Sequence, residues 1–108
     1  DHTNKVFNAN FLSGFFDGEG HVANHYISFS QKDDVISFKI SNLLTQFGIK
    51  NRIHKRYRDH GQIINEIYIG TYRYRIIFNN NIGFRLKRKQ DKLIETLSWR
   101  QNNVISKI

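Results

Sequence analysis

The stretch "NFLSGFFDGEGHV", residues 10–22, sets two patterns against each other. Leu12 to Gly20 hold three glycines and two carboxylates, and glycine and aspartate are poor helix residues. Yet Phe11, Leu12, Phe15 and Phe16 recur at helical spacing. The spacing predicts a helix over residues 5–18, with Gly18 and Gly20 ending it. Gly14 and Gly18, four apart, with Ser13 beside the first, make a small-residue face on such a helix. A face of that kind lets a second backbone come very close, while Phe15 and Phe16 point into the core. Two identical helices paired closely imply two-fold symmetry, so a helix–helix interface is expected at Ser13, Gly14, Asp17 and Gly18. Asp17 and Glu19 then sit at the negative end of the helix dipole, unfavourably unless a cation is near. Carboxylate and carbonyl oxygens suit Mg²⁺ or another hard cation; simple turn capping is the plainer reading of the same acids.

Beyond this stretch the chain reads as strands, helix, hairpin, helix, helix. "YISFSQ" (26–31) alternates, with Ile27 and Phe29 on one side and Tyr26, Ser28 and Ser30 on the other. Asp33 or Asp34 is expected to cap a second helix with the apolar stripe Ile36, Ile40, Leu43, Leu44 and Phe47, stopped at Gly48. Residues 51–58 and 63–70 flank the turn "DHGQ" as a hairpin. Its first strand puts Arg52, His54, Arg56 and Arg58 on one face and Ile53, Lys55 and Tyr57 on the other. A helix over residues 72–79 is broken by "NNNIG" (79–83). A last helix is expected from about Lys89, with Leu93, Ile94 and Leu97 and an extension to Val104 or Ile105. Before it stands "FRLKRKQDK" (84–92), five basic residues in nine. Bases at a helix start oppose the dipole, so an outside partner is expected for them. The sheet thus has one apolar face for helices and one basic face for a polyanion, a two-layer α+β arrangement.

The 108 residues carry a net charge of +8, with 39% hydrophobic and 14% aromatic residues. That composition argues against disorder and predicts a single domain over residues 1–108 whose basic balance favours nucleic acid. No apolar run approaches the roughly 20 residues of a membrane span, so no membrane partner is expected. The chain has no cysteine, which excludes disulfides, thiolate metal sites and a cysteine nucleophile. It also has no methionine, which suggests a processed product, a fragment or a trimmed chain.

"LSGFFDGEG" (12–20) resembles the LAGLIDADG motif of homing endonucleases nearly position for position. Leu12, Gly14, Asp17 and Gly20 match, Ser13 and Gly18 are small where the motif has Ala, and Glu19 is acidic where it has Asp. "ISFSQKDD" (27–34) is similar to the family's strand ending in Gln before the second helix, and "NNIGFRLKRKQDKL" (80–93) to its C-terminal "IGF…KRKQ" segment. The resemblance implies the αββαββα LAGLIDADG domain, with an antiparallel saddle sheet and helices on one face. It implies an intron- or intein-associated enzyme that cuts double-stranded DNA at long sites. Such proteins work with a second LAGLIDADG domain, as a homodimer or as the other half of a longer chain.

Carried over residue by residue, Glu19 would bind a divalent metal with the Gly20 carbonyl. Gln31 and Lys87 would position the attacking water and steady the charge on phosphorus. Mg²⁺ or Mn²⁺ would support turnover, and Ca²⁺ would occupy the site without it. The DNA face would comprise Tyr26, Ser28, Ser30, Arg52, His54, Arg56, Arg58, Glu66 and Tyr68, with phosphate contacts from Lys32, Arg85, Lys87, Arg88 and Lys89. Val35 stands where many members carry Arg, and only residues 21–31 lie between motif and Gln, a short first hairpin. The competing readings are a non-cleaving relative, such as an RNA splicing maturase, and a plain basic RNA-binding domain. An intracellular setting is expected, in an organelle or a prokaryotic cytoplasm.

Overall fold

A computed structural model describes residues 2–106, with the side chains of residues 4–99; Val104 and Ile105 lie outside the described side chains. The elements run α1 (His2–Glu19), β1 (Gly20–Val22), β2 (Ile27–Gln31), α2 (Asp34–Gln46), β3 (Arg52–Tyr57), β4 (Ile63–Ile69), α3 (Tyr72–Asn81) and α4 (Lys87–Ser106). The four strands form one antiparallel sheet in the order β1-β2-β4-β3. The predicted α+β layout is thus observed, with α1 running to Glu19 and α4 starting at Lys87, two residues ahead of expectation.

The alternation in β2 decides which face is buried. Ile27 and Phe29 are fully buried, as are Ile67 and Ile69 opposite them on β4. Helix α1 adds Leu12 and Phe16, α2 adds Ile40 and Leu44, and α3 and α4 add Phe78, Leu93 and Leu97. Phe16 is the hinge of this core, with its ring 5.1 Å from Phe29 and 4.9 Å from Phe78. Phe15 does not go with it into the interior. It is half-buried at the margin, 4.7 Å from Phe11 and 5.9 Å from Phe29. No helix among the described residues is long and apolar enough to cross a membrane.

Three polar devices fix the layers. Of the two candidate caps, Asp33 takes the role, accepting from the Ile36 N–H at 2.9 Å. The buried Asn65 of β4 donates to Asp34 Oδ1 at 2.7 Å and to Ser37 Oγ at 3.1 Å, while Lys55 donates to the same carboxylate at 3.2 Å. Lys55 is thereby drawn to the helix side of the sheet, away from Arg52, His54 and Arg56. At the other end of the sheet the fully buried Arg75 donates to the Gly70 carbonyl at 3.2 Å and the Asn24 carbonyl at 3.4 Å, tying α3 to the β1–β2 turn.

Asn65 is the only one of these groups that is both buried and shared by two partners on α2. Asn65→Ala removes a buried amide together with its hydrogen bonds to Asp34 and Ser37, and should lower the unfolding free energy by about 1–3 kcal/mol, read from urea denaturation at neutral pH. The Asn65 amide, and after it Lys55, hold the Asp34 pKa below its ordinary value. Its stabilisation is therefore complete above the ordinary carboxylate range and fades as pH falls through the lowered native value. The gap between the native protein and Asn65→Ala should narrow on acidification over that same window; a gap that widens contradicts the assignment.

Candidate functional site

The acid at the end of α1 and the bases at the start of α4 each oppose their own helix dipole, and the fold lets them answer one another. Asp17 Oδ1 accepts from the backbone N–H groups of Arg85 and Leu86 at 2.9 and 3.1 Å, just ahead of α4. In return, Lys89 Nζ donates to the carbonyls of Asp17 at 2.6 Å and Phe16 at 3.3 Å, at the end of α1. These carbonyls are among the groups a helix end leaves without partners. The Ser13 hydroxyl donates to the Gly83 carbonyl at 3.0 Å, and Arg85 reaches Asn10 Oδ1 at 2.8 Å. The segment 83–89 is thus strapped along one side of α1.

This strap bears on three expectations. Ser13, only 2% exposed, and Asp17 do not belong to an open helix–helix face, because both are spent on the chain's own segment 83–86. The Lys89 ammonium is turned inward against α1, where it already serves two carbonyls. Lys87, the lysine matched to the family's active site, is exposed and paired with Asp91 at 2.6 Å one turn along α4. The two lysines accordingly titrate in opposite directions. Loss of water, reinforced by Arg88, lowers the Lys89 pKa despite the nearby Asp17 and Glu19. The hydrogen bond to Asp91 raises that of Lys87.

Glu19 emerges at the free end of α1, and the chain turns at once into β1. Gly20 is obligatory at that turn, because a Cβ there would collide with the Phe16 carbonyl oxygen. Glu19 shares a cleft of about 250 Å³ with Ser30, Gln31, Lys32, Arg58 and Ile64. The fold therefore brings together Glu19 and Gln31, two of the three predicted catalytic residues, and adds the cations of Lys32 and Arg58. Gln31 Oε1 accepts from the Asp33 N–H at 3.1 Å, which leaves its NH₂ as the group able to donate. Among the described residues there is no cluster of three or more His, Cys, Asp or Glu side chains that could hold a metal. One chain offers a single carboxylate and main-chain oxygens, a hard donor set that fits Mg²⁺ when substrate phosphates and waters complete the shell.

Beside the cleft lies the bare side of α1. Asn10, Phe11, Gly14, Phe15, Gly18 and Glu19 line a shallow depression there. A Cβ built on Gly14 or Gly18 meets nothing within 4 Å, so neither glycine is required by the chain's own packing. Phe7 continues this side at 67% exposure, and α2 presents Val35 and Phe38 at 76% and 58%.

The sheet face turned away from the helices carries the expected basic stripe. Register places Arg52 opposite Tyr68, which pairs on with Ser28, and His54 opposite Glu66, which pairs on with Ser30. Arg58 lies past the end of β3, where it joins the cleft rather than the stripe. At the far end of the face, His25, Tyr26, Lys50, Asn51, Arg52, Tyr68 and Tyr74 line a second cleft of about 640 Å³. Lys50 and Tyr74 are additions to the face. Lys50 precedes the strand and Tyr74 lies on α3, so the alternation of β3 and β4 could not point to either.

A family model described as a LAGLIDADG-like domain matches residues 6–83, a span that covers most of α1, the whole sheet, α2 and α3. No curated protein matches the chain. The strap residues Arg85, Lys87 and Lys89 lie beyond the matched span.

The two lysines of the strap separate by substitution. Lys89→Met strips the partner from two carbonyls at the end of α1 and should cost about 1–3 kcal/mol of stability. Lys87→Met removes only a solvent-exposed ion pair and should cost distinctly less. Thermal unfolding of the two variants side by side checks the order; equal losses would contradict the inward role of Lys89.

Proposed function

The chain belongs to the LAGLIDADG family, and from that premise we propose that it is a site-specific, metal-dependent endonuclease subunit acting on double-stranded DNA. The observation that carries this reading is the cleft where Glu19 and Gln31 meet Lys32 and Arg58, at the junction of the basic sheet face and the bare side of α1. Duplex DNA laid against the basic face brings a backbone phosphate to the cleft, where Lys32 and Arg58 hold its charge. Side chains from the strands then reach base edges, Arg reading guanine best. A second domain of the same kind, as another copy of this chain or as the other half of a longer one, docks on Gly14 and Gly18. It brings its own acidic helix end beside Glu19.

Glu19 and the Gly20 carbonyl would hold a divalent cation, Mg²⁺ or Mn²⁺. Such an ion, when bound, supplies an activated water and neutralises charge on the oxygens of an in-line displacement. The Gln31 NH₂ orients a water or phosphate oxygen at the cleft wall. Donors fixed near the phosphorus stabilise the charge that develops there. No side chain is needed as a covalent nucleophile. Lys87 can act at the cleft only after leaving Asp91.

A non-cleaving reading, as in an RNA splicing maturase, draws on two features. Val35 stands exposed where many family members carry Arg, and Lys87 is held by Asp91. Incubation of native chain and Glu19→Gln with a randomised duplex library and Mg²⁺ separates the readings. Cleavage by the native chain, with loss of at least about 10²-fold on Glu19→Gln and retained binding, is the outcome expected of the endonuclease. Tight binding by both with every duplex intact would assign the chain to the non-cleaving class.

A further inference from the structure

The open sheet face is cationic, yet at its centre lies a carboxylate. Glu66 is 6% exposed although it sits on the side away from the helices, between His54 and Ser30. Both its oxygens are engaged. Oε1 meets Arg56 Nη1 at 3.1 Å, and Oε2 accepts from the Tyr68 hydroxyl at 2.5 Å. The Tyr68 ring in turn carries the Arg52 guanidinium 5.7 Å from its centroid. The Arg56 side chain is 53% exposed against 7% for Glu66. The carboxylate thus pairs with one nitrogen of the guanidinium, while about half of the Arg56 side chain stays open to a partner.

A negative charge on a surface that meets a polyanion lowers affinity, and this one is too enclosed to accept from a base without giving up a partner. Its effect falls on its neighbours. A free arginine takes whichever phosphate is nearest, whereas one held by its edge presents a fixed fork, and fixed forks are what discriminate guanine. We propose that Glu66 is a specificity-determining positioning residue: it holds Arg56 directly, and Arg52 through Tyr68, in the poses from which they read bases, giving up affinity for selectivity. The proposal rests on the DNA-binding reading of this face. The hydrogen bond to Glu66 also raises the Tyr68 pKa, consistent with a phenol that stays a donor.

The test is selection from a randomised duplex library, with Ca²⁺ in place of Mg²⁺ to preserve the duplexes, by four full-length proteins: native, Glu66→Gln, Arg56→Gln and the double variant. The expected result is that Glu66→Gln loses about tenfold discrimination at the same base pair that Arg56→Gln relaxes. Its log K against log salt should steepen by about 0.9, one added phosphate contact. The double variant should match Arg56→Gln at that base pair, because Glu66 acts through the arginine. An unchanged consensus in Glu66→Gln, or losses that add in the double variant, overturns the proposal while leaving the DNA-binding reading intact. A native chain that selects no sequence removes both. Should Glu66→Gln not fold, Tyr68→Phe cuts the same network by one hydroxyl. It should relax a base pair that Arg52→Gln also relaxes, and an unchanged consensus in it overturns the proposal as well.

Discussion

The constraint on which the remainder depends is the reciprocal capping of α1 and α4. Each helix carries the wrong charge at its own end, acid at the C-terminus of α1 and base at the N-terminus of α4. Crossing them gives both a partner: Asp17 takes the N–H groups ahead of α4, and Lys89 takes the last carbonyls of α1. Three consequences follow from one geometry. The end of α1 is held still, so Glu19 and Gly20 leave it in a fixed direction. The Ser13–Asp17 side of the helix is consumed. The Gly14–Gly18 side is left bare, next to the cleft that holds Glu19. Intramolecular packing thus assigns each side of one short helix to a different task.

The sheet makes a similar division with a period of two. Residues of one parity on β2 and β4 are spent on the core, and those of the other parity form the opposite face, where Ser28, Ile64 and Glu66 are themselves nearly enclosed. That second face is not a uniform cationic surface. Lys55, from the apolar parity of β3, has been drawn off to anchor α2, and Glu66 has been set among the arginines that remain. A net charge of +8 gives the chain a long-range attraction for a polyanion. The local neutralisation at the centre of the face is what turns attraction into orientation.

Much of this was legible from local pattern. The Asp33 cap, the alternation of "YISFSQ" and the stripe of α2 are decided by residues within one or two turns of each other, and the structure reproduces them. The family motif marked Glu19 and Gln31, and the cleft brings the two side by side. What could not be read was phase. Ser13 and Asp17 make as good a small or polar stripe as Gly14 and Gly18, rotated by about 100°. The choice between the stripes is made by Gly83 and Arg85, distant along the chain. Likewise Lys87 and Lys89 are about 200° apart around α4, so one meets solvent and the other meets α1. The basic run itself could not say which. The outside partner expected for that run proved, for Lys89, to be the other end of the same fold.

The central claim is that the bare side of α1 receives a second domain across a two-fold axis. The chain has no native cysteine, so a single introduced thiol reports on it cleanly. The most direct measurement is mild oxidation of Gly14→Cys, with Arg73→Cys on the exposed outer side of α3 as the control, each at matched concentration and resolved without reductant. Paired helices bring the two copies of position 14 within the roughly 4.4–6.8 Å of Cα separation that a disulfide spans. The account predicts rapid, near-complete covalent dimer for Gly14→Cys and little for Arg73→Cys. Equal crosslinking at both positions, or none at position 14, would contradict it.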